Sequence, residues 1–157
     1  MDAAQRLVGP VVALQPARGV DGDPDFARGS PFIIEHDYTT GPLDAGYFDL
    51  GWAVEFVEHV EERYLPNFMA TFAGCDTVFI TAAVPGQPGH HHVNCQWSDY
   101  WVARFDDAGF DYDREATLGV RAASTMQSRF TEQTGLVFRK RIQGVPPISA
   151  ESDPEAS

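Results

Sequence analysis

Apolar residues in this chain fall into short dense runs, and several of the runs end abruptly in acids. Residues 18–21 close with Val20 and Asp21, ahead of the turn-rich Gly22, Asp23 and Pro24. Phe32, Ile33 and Ile34 form a second run, which ends in Glu35, His36 and Asp37. The third run, residues 48–54, is little broken by polar residues and predicts a strand covered on both faces. It passes straight into Glu55, Phe56, Val57, Glu58, His59 and Val60. From Val57 the period changes: Val57, Val60, Tyr64, Phe68 and Phe72 recur at steps of three and four, the stripe of a helix that Pro66 divides and Gly74 ends. Residues 77–83, rich in β-branched and aromatic side chains, predict the strongest strand. A loop with His90, His91 and His92 follows. Ser98 is the expected cap of a helix carrying Trp101, Val102 and Phe105, stopped by Gly109. A short strand at 110–112, a helix over 115–129 and a strand over 135–141 complete the pattern, and residues 3–14 have a helical spacing weakened by Pro10.

Strands alternating with helices indicate an α/β fold with a mostly parallel sheet flanked by helices. The expected organisation is one domain over residues 1–143 and a disordered acidic tail over 144–157.

Composition narrows the function classes. A net charge of -12 in 157 residues argues against general nucleic-acid affinity, which needs clustered Lys and Arg against phosphate. No apolar run approaches the roughly 20 residues of a membrane span. The first residues lack the basic-then-apolar design of a signal peptide, so a cytoplasmic setting is expected, with Cys75 and Cys95 reduced.

The segments GVDGD (19–23), IIEHDYTTGPL (33–43), FDLGWAVEFVEHV (48–60) and ITAAVPGQPGHHHVNCQ (80–96), taken together, resemble the class I S-adenosylmethionine-dependent methyltransferases. The third is similar to the "FD…EV.EHV" signature of the small-molecule and quinone-pathway members. The resemblance runs over about residues 17–141 and implies a Rossmann-like fold that uses S-adenosyl-L-methionine on a small-molecule or sugar-like acceptor. It also implies truncation at the N-terminus. The family opens with a strand and a glycine-rich loop, and no Gly-x-Gly-x-Gly sequence occurs here. A late start site, a fragment completed by another chain, and a degenerate member that no longer methylates all accommodate this. Self-association, or a second chain supplying the missing first strand, is expected with it, because a lost central strand exposes edges on its neighbours.

By the same resemblance Asp21, or in second place Asp23, would accept the cofactor's ribose hydroxyls, with Gly22 beside it. Asp37 would meet the adenine, with Tyr38 as a stacking wall, and Ala53 and Val54 would border the methionine part. Glu55, His59 and His92 are the candidate catalytic residues, and His91 and Asn94 the candidate substrate-binding ones. A base is needed only if the acceptor hydroxyl must lose its proton. Local explanations stand beside these roles. Asp21 is also a natural turn former, and His59 a first-turn packing residue. Three consecutive histidines invite a zinc reading, yet adjacent residues point in different directions and no Cys-x-x-Cys or His-x-x-x-His spacing supports it. No metal is therefore expected.

Overall fold

Where β-branched and aromatic residues concentrate, the chain forms strands. The computed structural model describes residues 17–127 and 129–142. The expected helix over 3–14 and the tail over 144–157 lie outside the described residues. The chain divides into two compact units, 1–37 and 38–157.

In the first unit, β1 (Gly19–Asp21) pairs in parallel with β2 (Ile33–Glu35), setting Asp21 beside Glu35. Between them lies a one-turn helix, α1 (Pro24–Ala27), where only a turn was expected. Asp23 caps it by accepting the Asp25 amide at 2.8 Å, and Pro24 in its first turn loses no hydrogen bond by having no N–H.

The second unit holds a four-stranded sheet in the order β3-β4-β6-β5, where β3 is Phe48–Ala53, β4 Cys75–Ile80, β5 Phe110–Tyr112 and β6 Leu136–Lys140. β3 and β4 are parallel, while β6 is antiparallel to both of its neighbours. Three of the four strands therefore run one way and only the last is reversed, which is the expected mostly parallel, Rossmann-like α/β arrangement. Around the strands lie α2 (Leu65–Phe72), α3 (Ser98–Asp107), α4 (Arg114–Ala123) and α5 (Phe130–Thr134).

Strand alternation builds the core. Val78 opposes Phe138 and Ile80 opposes Leu136, so these four share a face. That face packs with Phe68 and Phe72 of α2 and Trp101 and Phe105 of α3. Phe105 stacks on Phe138 with ring centroids 4.0 Å apart and planes at 5°. On the opposite face Phe79 stacks against Trp52 at 4.3 Å.

Several sequence expectations are corrected. The stripe from Val57 is not one helix: two 3₁₀ turns, Val57–His59 and Glu62–Tyr64, precede α2, because Val60 adopts an extended backbone between them. Pro66 does stand in the first turn of α2, as expected. Trp97, not Ser98, is the residue before α3, and it makes no side-chain cap. The helix expected over 115–129 is α4 followed by a break and the short α5. β3 is not covered on both faces. It stands at the end of its sheet, with Leu50 and Trp52 more than half exposed, and Trp97 is exposed too, leaving Trp101 as the buried tryptophan.

Candidate functional site at the ends of β3 and β4

Because β3 and β4 are parallel and paired Ala53 to Ile80, their C-terminal ends lie side by side. Open α/β sheets present ligands beyond this edge. The Thr81 amide extends the pairing by donating to the Ala53 carbonyl at 3.0 Å. The two strand exits are then stitched together by side chains.

Glu55 leaves β3 with a φ of 51°, in the left-handed region. For a residue with a Cβ this costs about 1–2 kcal/mol, and surrounding contacts must hold it. Thr81, fully buried, does so. Its hydroxyl accepts the Glu55 amide at 2.8 Å and donates to the Glu55 carboxylate at 2.9 Å. Three residues further on, Glu58 enters the interior with no exposed surface. Its Oε1 accepts the Ala83 amide at 3.1 Å, and its carbonyl accepts both the Val93 and Asn94 amides at 3.0 Å. Burial, reinforced by the nearby Glu55 carboxylate, pushes the Glu58 carboxyl up to about 7 from its ordinary 4.5.

The loop after β4 completes the cluster. His59 Nδ1 lies 3.2 Å from the His91 carbonyl and His92 Nδ1 3.2 Å from the Gln87 carbonyl. The two rings meet edge to face with centroids 5.1 Å apart. Asn94 is buried, and its side-chain oxygen accepts from the Gln96 amide group at 3.1 Å. His91 has a φ of 56° and reaches the cluster through its carbonyl, while its side chain is exposed.

The structure thus gathers Glu55, His59, His92 and Asn94 around a residue that the sequence reading did not select, Glu58. On a helical stripe Glu58 reads as a solvated position; only its place between Val57 and Val60 hinted otherwise. Ala53 and Val54 line the exit of β3, half-buried. Tyr38 is engaged locally. Its hydroxyl donates to Thr71 at 3.0 Å, its ring packs edge-on against Phe56 and Phe68, and burial raises its hydroxyl above its usual range.

In the first unit Asp21 ends β1, as expected. Its Oδ1 accepts the Asp23 amide at 2.8 Å, and its carbonyl accepts the His36 amide at 2.9 Å. The turn role is therefore real, and it uses one carboxylate oxygen. A Cβ added at Gly22 would stand in ordinary contact with the His36 carbonyl, and Asp37 is exposed two residues beyond β2.

Strand order and direction define the class: a Rossmann-like α/β fold of the kind the methyltransferase resemblance implied. No protein-family model matches the sequence, and no curated protein is significantly similar to it. Among solved structures, the chain is similar to magnesium protoporphyrin IX methyltransferase (ChlM) from Synechocystis PCC 6803 with bound SAH, at 14% identity and a TM-score of 0.46 over 71% of this chain and 52% of that one. It is also similar to LepI in complex with SAM, at 13% identity and 0.49 over 81% and 37%. A third likeness is to the pyocyanin biosynthetic protein PhzM, at 9% and 0.42 over 69% and 34%. The chain spans about half the length of ChlM and little more than a third of the other two. At such values the fold class rests on the topology itself. Among the described residues no helix is long and apolar enough to cross a membrane.

Proposed function

We propose that this chain is an S-adenosylmethionine-dependent methyltransferase domain acting on a small-molecule or sugar-like acceptor. The observation that carries the reading is the polar cluster at the C-terminal ends of the parallel strands β3 and β4, held in place by the chain's own backbone and by a buried threonine. Asp21 and Gly22, at the end of β1, are the residues we assign to the nucleoside part of the cofactor. Asp21 keeps one carboxylate oxygen outside its turn, suited to accept from ribose hydroxyls, and Gly22 adds no side chain beside it.

The cofactor, when bound, supplies an already activated methyl group. What remains for the protein is to align the acceptor and exclude water. Glu55, His59 and His92 would orient an acceptor hydroxyl and take its proton where the chemistry requires it. Asn94 and His91 would shape the acceptor side of the loop.

Calorimetric titration of the purified chain with SAM and with SAH tests the reading. A micromolar dissociation constant is expected. Asp21→Ala should weaken it at least tenfold, the cost of a lost charge-assisted hydrogen bond of about 1.5–3 kcal/mol. Absence of binding by the folded chain would overturn the proposal. It would favour the second reading, a non-catalytic module of methyltransferase fold.

A further inference from the structure

Glu58, His59 and His92 each place a metal-binding atom within 4.8 Å of the other two. The two histidines come from different segments, a 3₁₀ turn and the loop after β4, so the obstacle of adjacent residues pointing apart does not arise.

Two features of the surroundings separate this group from a chance gathering of polar side chains. The first is ring orientation. Each histidine directs Nδ1 at a backbone carbonyl, His59 at His91 and His92 at Gln87, both at 3.2 Å. A carbonyl only accepts, so Nδ1 is the donor in each contact, and Nε2 is the atom left for an ion. A carbonyl behind the ring is the support that fixes a ligating histidine in other metal sites. The second is Glu58. Its side chain is wholly buried, Oε1 accepts the Ala83 amide, Oε2 is equally buried and without a hydrogen-bond donor, and the Glu55 carboxylate lies close to the same group. A carboxylate oxygen in that state is costly unless a cation or proton meets it.

We infer that Glu58, His59 and His92 form a binding site for a divalent transition ion of the zinc class. Two neutral imidazoles and one carboxylate make a donor set that such ions accept, and three protein ligands leave a coordination position open for an oxygen ligand. Bonds of about 2.0–2.2 Å would bring neighbouring ligand atoms to about 3.4 Å apart, so the most distant pair must close in by about 1.4 Å. All three sit on a turn or loop and not inside a strand or long helix, which leaves them that freedom. Gly89 provides the room for His92: a Cβ there would collide with the imidazole ring. The inference does not rest on the methyltransferase reading; with the ion on His59 and His92, Glu55 is left as the group to take an acceptor's proton.

The test is a calorimetric titration of the full chain with ZnCl2 at pH 7.5, after EDTA treatment and dialysis, with Co2+ absorption as a report of coordination. One equivalent of zinc is expected at micromolar or tighter affinity, with Co2+ giving the visible bands of four- or five-coordination. His59→Ala, His92→Ala and Glu58→Gln should each weaken zinc binding at least tenfold, and His90→Ala should leave it unchanged. Gly89→Ala keeps every ligand and crowds only His92. It should show the same loss, which preserves the test if a ligand variant fails to fold. No zinc binding by the folded chain would overturn the inference. So would binding that His90→Ala abolishes and Glu58→Gln leaves intact, since the histidine loop alone would then be the binder.

Discussion

The burial of Glu58 makes a quantitative demand on stability. A carboxyl whose folded value is raised holds its proton in the native state at pH values where the unfolded chain has released it. Between 4.5 and about 7, therefore, the native state binds more protons, and stability falls as pH rises through that window. Below 4.5 and above about 7 this group adds no further slope. The interval, at about 1.4 kcal/mol per pH unit, sets a ceiling of about 3 kcal/mol on the loss. Glu58→Gln removes the titration and retains the shape. Its carbonyl can still accept the Ala83 amide, and its NH2 group can donate where the protonated acid would. Urea unfolding of both proteins by circular dichroism, in EDTA from pH 4 to pH 8, measures the difference directly. The variant should match the wild type near pH 4 and exceed it increasingly, by up to about 3 kcal/mol, at pH 8. A difference that does not change with pH, or a variant less stable than wild type at pH 8, would refute the reasoning.

Two further expectations concern the frame of the second unit. Asp113 caps α4 by accepting the Ala116 amide at 2.8 Å and also accepts from Arg139 at 3.0 Å, which together hold its carboxyl below its ordinary 3.8. Asp113→Ala should cost about 1–2 kcal/mol at neutral pH. A lowered folded value means that this contribution is present above about pH 4 and is lost as pH falls through the folded value, so the gap between variant and wild type in urea unfolding should shrink toward pH 2. Phe105 is fully buried and stacked on Phe138, so Phe105→Ala should cost about 3–5 kcal/mol in the same assay. A loss under 1 kcal/mol would mean that α3 is not anchored to the sheet through that ring.

Most elements were legible because they rest on local chemistry. β4 and β6 announce themselves by β-branched and aromatic residues, and α3 by its apolar spacing and the glycine after it. The 3₁₀ turns were not legible, because Val57, Val60 and Tyr64 keep helical intervals while the backbone at Val60 is extended. The candidate site divides in the same way. Glu55 and His59 were visible at the joint between strand and helix, and His92 in an obvious histidine run. Glu58 was nearly hidden, since its place between Val57 and Val60 is only a faint sign that the glutamate faces inward. Its burial depends on the Ala83, Val93 and Asn94 amides, which lie 25 to 36 positions further along. Thr81 was hidden for the same reason: as a strand residue it had no visible partner until β3 and β4 were paired.

That dependence on distant partners also bears on how the molecule reaches its native form. The bonds that fix Glu55, Glu58 and His59 join residues separated by 25 to 36 positions in the chain. They can form only after the two strands have found their register and the intervening helix has closed the loop, with the entropy of closure already spent. The cluster is therefore a late event in folding and, in reverse, an early one in local opening, so its amides should lose exchange protection before those of β4 and β6. A chain arrested with its sheet assembled would show a native core and no organised cluster, much as an arch stands before its door is hung.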